Sequence, residues 1–263
     1  MTMSWTRLLA RTLVTSSSKS PAKLSTTHRG TAFEERSRNI LQNHLSMTLR
    51  RVGGKSDGGI DLLGWWWLPP LGVSDPSAPR RRLRVLAQCK AEKQKASPKY
   101  VREMEGVLHR YITLSPSFSP HDTGKPPLHH SSQYPVVAVL ISESPFTKAT
   151  LLRAQSSPVP FFLFHLPPVP SSLDTAMSAE TDHKWAGTAV WNPALAGTRG
   201  LLGGEMEVRW ERSPSCDGRP GLWWRNRKLR SWTPETDSSE KGDWDLDLRD
   251  QDLLLEDLGR DTA

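Results

Sequence analysis

Three short stretches of the chain carry residues able to do acid–base or metal chemistry. Residues 53–61, Gly-Gly-Lys-Ser-Asp-Gly-Gly-Ile-Asp, bring the carboxylates of Asp57 and Asp61 into a glycine-rich turn that runs into an apolar segment. Residues 88–90, Gln-Cys-Lys, end a second apolar run with an amide, a spacer and an amine. Residues 30–34 place Glu34 directly after Phe33. If the two apolar runs pair as antiparallel strands, Asp61 lies across from Gln88 and Lys90. A carboxylate, an amide oxygen and an ammonium then converge at one sheet edge.

The elements that must position these groups are legible as patterns. Thr31 is an expected N-cap for a helix to about residue 47, with Phe33, Ile40, Leu41 and Leu45 at helical intervals. Glu34 then has two readings, a first-turn capping acid or an acid leaning over the sheet edge. Residues 49–52 predict a short first strand, ended by Gly53 and Gly54. The glycines at 53, 54, 58 and 59 allow positive φ and close backbone approach. Lys55 follows Gly54, but a nucleotide-binding P-loop needs a glycine where Leu49 stands, so that reading is rejected.

Trp65, Trp66 and Trp67 alternate faces of the second strand, predicting at least one buried indole and leaving room for an exposed, base-stacking one. Arg80, Arg81 and Arg82 open the return strand, either to contact phosphates or to solubilise an edge. Val101, Met104, Val107, Leu108 and Tyr111 form one stripe of a helix over residues 98–111. A strand over 136–141, a short helix over 144–154 and a strand over 161–165 complete an α/β pattern. His121, His129 and His130 fall in a polar loop with no ligand spacing to support a metal site.

These pieces resemble the active-site pattern of the PD-(D/E)xK nuclease superfamily, in its Mrr-type branch. The matching residues are Phe33-Glu34, Asp57-Gly58-Gly59-Ile60-Asp61 and Gln88-Cys89-Lys90, in the family's order. The resemblance implies an α/β, restriction-endonuclease-like core, a mixed central sheet flanked by helices, over residues 30–166. It implies Mg²⁺ (or Mn²⁺) held by Asp61, Gln88 and the backbone carbonyl of Cys89, with Asp57 as a further ligand or a brace for the turn. Lys90 would position the nucleophile or stabilise charge, and Glu34 would restore a carboxylate. Gln88 departs from the superfamily's commoner acid but matches this branch, and it leaves the metal count open. Lys55, Arg80, Arg81 and Arg82 are the expected phosphate contacts.

The rest of the chain bounds the setting. Residues 1–29 hold five Lys or Arg, many Ser and Thr and no acid, with Trp5, Leu8, Leu9 and Leu13 on one helical face. That basic amphipathic form predicts a mitochondrial presequence, and a matrix location. With it, the whole chain is similar to the fungal mitochondrial family called required for respiratory growth protein 7. From Glu235 onward eleven acids face three bases, a balance of −8, so the preceding residues carry +15 of the net +7. A body that basic favours a polyanion, and the tail over 235–263 reads as an internal competitor for it. Residues 167–234 read as an irregular extension packing on the core, with indoles and cations interleaved between Arg219 and Trp232. No apolar run reaches the roughly 20 residues a membrane helix needs. Two cysteines, Cys89 and Cys216, give no disulfide framework.

Two functions follow. One is a metal-dependent nuclease acting on nucleic acid, with DNA the first expectation. The other is a non-catalytic nucleic-acid-binding or assembly factor on a nuclease scaffold. A homodimer would serve cutting of both strands, though no residue marks one.

Overall fold

A long helix, α1 (Thr26–Leu45), leads into β1 (Met47–Arg51) in the computed structural model, which describes residues 26–52, 58–72, 79–114, 134–168, 187–213 and 216–234. The presequence, Lys55, Asp57, the histidine-bearing loop and the acidic tail lie outside the described residues. The remaining elements are β2 (Leu62–Leu68), β3 (Arg81–Lys90), α2 (Pro98–Leu114), β4 (Val136–Ser142), α3 (Lys148–Gln155), β5 (Phe161–His165) and β6 (Thr188–Trp191). They are followed by a one-turn α4 (Pro193–Ala196), β7 (Met206–Ser213), β8 (Cys216–Trp224) and β9 (Arg227–Lys228).

Strands β1 to β6 form one sheet in chain order. Its first three strands are antiparallel, β3, β4 and β5 are parallel, and β6 returns antiparallel on β5. The parallel steps need crossovers, and α2 and α3 supply them. The mixed α/β class expected from the pattern is thus present. The sheet takes in β6, beyond residue 166.

Strand alternation sorts the core into two layers. Leu62, Trp66, Val85, Ala87, Val139, Phe162 and Phe164 face α1 together with Leu222 and Trp224 of the β7–β8–β9 sheet. Leu63, Trp65, Leu86, Ala138, Leu140 and Leu163 face Val101, Met104 and Leu108 of α2. Every residue of β2 is buried, including all three indoles. The expectation of an exposed, base-stacking tryptophan is therefore overturned, because helices and the second sheet cover both faces of a central strand. At about 1.5–3 kcal/mol for each large apolar side chain removed from water, this stretch is a main stabilising unit. Gly64 lets β1 approach β2, since a Cβ there would meet the Thr48 carbonyl oxygen at 1.9 Å.

The first helix also departs from expectation. It runs through Thr31 from at least Thr26, so Thr31 is not its N-cap and Glu34 is not a first-turn capping acid. Its end is set from far along the chain. Ser46 adopts a left-handed conformation with φ 58°. Its N–H donates to Ser231 Oγ at 3.1 Å, Ser231 Oγ donates to the Gln42 carbonyl at 3.0 Å, and Ser46 Oγ accepts from the Trp232 N–H at 3.0 Å. A carbonyl left open by the last turn is satisfied by residue 231, which no local pattern could reveal.

Candidate functional site

Asp61 immediately precedes β2, and its backbone extends the ladder by one residue. Its N–H donates to the Ala87 carbonyl at 2.9 Å and its carbonyl accepts from the Val52 N–H at 3.0 Å. The side chain turns across the strand end, where Oδ2 accepts the Cys89 N–H at 2.6 Å. The predicted apposition of Asp61 with the end of β3 is therefore present. Gly58 and Gly59 lead into it with φ of 58° and 84°, left-handed values that favour glycine. A Cβ at Gly59 would stand 3.1 Å from Gln88 Nε2, so this glycine also gives the amide its room.

Gln88 and Lys90 point to the α2 side of the sheet, as residues two apart on a strand must. Gln88 is 4% exposed, and its Oε1 is buried with no hydrogen-bond partner among the described residues. Leaving a buried amide oxygen unpaired costs about 1–3 kcal/mol, so such an atom calls for an explanation. Lys90 Nζ lies 4.9 Å from the centre of the Tyr100 ring. The Tyr100 hydroxyl donates to Glu92, and Lys99 Nζ lies 4.6 Å from the same ring. A phenol face thus holds the Lys90 ammonium at the strand end.

Cys89 faces the other way, towards α1. Burial pushes its thiol well above the ordinary cysteine range, and the nearby carboxylates of Asp61 and Glu34 add to the shift. That shift disfavours the thiolate, the form that acts as a nucleophile. Glu34 stands on the α1 side as well, where its Oε2 accepts from Arg51 Nε and pairs with the second guanidinium nitrogen, each at 2.8 Å. Asp61, Gln88, Lys90 and Glu34 are thus brought to one end of the sheet, with Glu34 on the opposite face from Gln88 and Lys90. No group of three or more His, Cys, Asp or Glu able to hold a metal occurs among the described residues.

The fit to a divalent cation can be judged from the donors present. One carboxylate beside one unpartnered amide oxygen is a hard-oxygen set, compatible with an ion such as Mg²⁺ that keeps most of its waters. It is not an all-protein cage. Asp57 lies outside the described residues.

The arginines expected to contact phosphates occupy the other end of β3, about 27 Å from Lys90 at roughly 3 Å per strand residue. Arg80 lies over Trp232, with 5.7 Å to the ring centre. Arg81 Nε donates to the Pro69 carbonyl at 3.1 Å. Arg82 lies 4.5 Å from Trp65 and 4.2 Å from Tyr134, and donates to the Tyr134 hydroxyl. The structure does not bring these three to the Asp61 end. The residues missed by pattern reading are Tyr100, Glu92, Lys93 and Lys95, which follow Lys90 and flank it. For Glu92, Lys93 and Lys95 the signal was the sequence Glu-Lys-Gln-Lys, one residue beyond the Gln-x-Lys strand.

Fold and geometry describe a mixed-sheet α/β protein that gathers a carboxylate, an amide and an ammonium at the carboxyl end of its third strand. Residues 25–79 and 73–117 match the family described as Required for respiratory growth protein 7. A stretch of 93 residues is 37% identical to an uncharacterized mitochondrial protein of Schizosaccharomyces pombe. That similarity covers 35% of this chain and 34% of that protein, so the chain matches about a third of its relative's length. No solved structure matches the chain. The matched residues include every candidate site residue. No described helix is long and apolar enough to cross a membrane.

Proposed function

We propose that the chain is a mitochondrial protein serving respiratory growth, and that it hydrolyses phosphodiester bonds of nucleic acid at the Asp61–Gln88–Lys90 end of the sheet. Mitochondrial location and respiratory growth come from the matched family and the S. pombe relative, over the third of the chain they cover. The hydrolytic reading is carried by one observation. Gln88 Oε1 is buried without a described partner, at the strand end where Asp61 anchors and Lys90 stands.

Asp61 and Gln88 would hold Mg²⁺ or Mn²⁺, with Asp57 as a further candidate. The ion, when bound, supplies Lewis-acid polarisation of a phosphoryl oxygen and lowers the pKa of water. Lys90 presents an ammonium for the charge that develops on the phosphate, and the Tyr100 ring keeps it near that position. The Cys89 N–H holds the Asp61 carboxylate in one orientation, which limits reorganisation during the reaction. The missing Cβ of Gly59 lets the backbone pack closely against the Gln88 amide.

The test is cleavage of labelled duplex, branched and single-stranded DNA and RNA with Mg²⁺, Mn²⁺ or chelator. Metal-dependent cutting lost in both Asp61→Asn and Lys90→Ala supports the reading, and cutting that survives both substitutions refutes it. A second reading, a binding factor on a nuclease scaffold, is favoured by the commitment of Glu34 to Arg51 and by the absence, among the described residues, of a group of three or more His, Cys, Asp or Glu able to hold a metal. It predicts nucleic-acid binding that is indifferent to divalent ions and to Asp61→Asn.

A further inference from the structure

Most cations in the described residues that stand close to acids are neutralised by them. Arg29 pairs with Glu143, Arg51 with Glu34, Arg153 with Glu105, Arg225 with Glu205 and Lys228 with Glu211. The segment from the end of β3 into the first turn of α2 gathers cations outside those pairs. It carries Lys93, Lys95 and Lys99, all exposed, immediately after Lys90. None of the four makes a salt bridge with a described carboxylate. The acid between them, Glu92, accepts the Tyr100 hydroxyl and, with Glu103, acts on Lys99 through space without a salt bridge.

The backbone that bears these lysines is pinned. Glu92 O accepts from Ser144 Oγ. The Ala96 N–H donates to the Pro145 carbonyl at 3.1 Å, and Ala96 O accepts from the Thr147 N–H at 3.2 Å and from Thr150 Oγ1 at 2.7 Å. Ala96 itself is buried and bridges Phe146. The loop is therefore held at both ends against the β4–α3 connection while its lysines face solvent. Unneutralised cations on an anchored backbone, at the same strand end as Asp61 and Lys90, form a ready-made site for successive phosphates.

We propose that the β3–α2 segment, through Lys93, Lys95 and Lys99, is the track that grips the phosphate backbone of a nucleic acid and leads it to the Lys90 end of the sheet. The assignment rests on the functional reading above only in taking nucleic acid as the polyanion. It moves the phosphate contacts away from Arg80, Arg81 and Arg82, which stand at the opposite end of β3 from Lys90. Each lysine that neutralises a phosphate contributes about one unit to the slope of log affinity against log salt.

The experiment is fluorescence anisotropy of a labelled DNA duplex with the full chain over a salt series, in chelator. Three proteins are compared: the parent, Lys93→Gln/Lys95→Gln/Lys99→Gln, and Arg199→Gln/Arg227→Gln/Arg230→Gln, which removes the same charge from exposed sites elsewhere. Thermal melting checks that all three are folded. The lysine triple is expected to flatten the salt slope by about 2 to 3 and the arginine triple to leave it unchanged. Equal losses in both would reduce the effect to net charge and overturn the track, as would an unchanged slope in the lysine triple. Binding only to anionic lipid vesicles, run in parallel, would overturn it too. Lysine-dependent binding without cleavage supports the track while refuting the nuclease. Cleavage with lysine-independent binding does the reverse.

Discussion

Gln88 sits where a polar side chain has no reason to be buried unless something donates to its oxygen or binds it as a cation does. If that partner is a divalent ion, Gln88→Glu will lower the melting temperature in chelator, because a buried carboxylate is costly to ionise, and Mg²⁺ or Mn²⁺ will restore it. A melting temperature indifferent to both ions would remove the metal. Asp61 serves the fold as well as the site. Asp61→Ala deletes the acceptor for the Cys89 N–H and should cost about 1.5–3 kcal/mol in denaturant unfolding, whereas Asp61→Asn keeps an oxygen there and should cost less. Separating these two variants distinguishes loss of chemistry from loss of structure.

Protonation adds a check at the same scale. The raised Cys89 thiol stays protonated in the native state, so the stability it contributes is full below the unfolded cysteine pKa of about 8.5 and is lost as pH rises above it. Native protein at pH 8 should resist alkylation at Cys89 until it is unfolded. His44 and His165 shift the other way, both lowered chiefly by burial. For His44 the cations of Arg219 and Lys228 add to burial while Glu211 opposes it. For His165 a hydrogen bond with the Glu143 backbone opposes burial. Their contribution is present above about pH 6.5 and is lost as pH falls through the lowered native values. Unfolding followed between pH 7 and 5 should show this fall, and His44→Gln/His165→Gln should flatten it.

At the scale of elements, the pairing of β1 with β2 is the step that sets Asp61 in place. Gly64→Ala would drive a methyl into the Thr48 carbonyl, and we expect it to destabilise the protein by about 3 kcal/mol or more. Trp66→Ala would open a cavity between α1 and the sheet at a cost of about 3–5 kcal/mol. The latch on α1 is lighter. Ser231→Ala removes two hydrogen bonds at the helix end and should cost about 1–2 kcal/mol, read as a shift in denaturant midpoint with unchanged slope.

At the scale of the whole molecule, the uneven charge is the property to test. The residues before 235 carry +15 and those from 235 onward −8. If the tail competes for the basic surface, ending the chain after Pro234 should tighten nucleic-acid binding at low salt, and the gain should vanish as salt screens the tail. Binding unaffected by the truncation would show that the tail does not mask that surface.

Much of this organisation was determined by sequence alone, where the signal is local. The helical stripe of α2, the apolar runs that became β4 and β5, and the order Glu34, Asp61, Gln88, Lys90 all depend on residues close along the chain, so their periodicity survives in the string. Tertiary structure decided what depends on distant partners. It buried all three indoles of β2 by covering both faces, moved Glu34 out of a capping role by extending α1 upstream, and tied that carboxylate to Arg51. It set the C-terminus of α1 with Ser231, 189 residues from the Gln42 carbonyl it satisfies. It also engaged Arg80 with Trp232, Arg81 with the Pro69 carbonyl and Arg82 with Trp65 and Tyr134, partners that the opening of the return strand does not name. Residue type and spacing state which chemistry a chain could hold; only the folded sheet determines which of those groups share an end and a face.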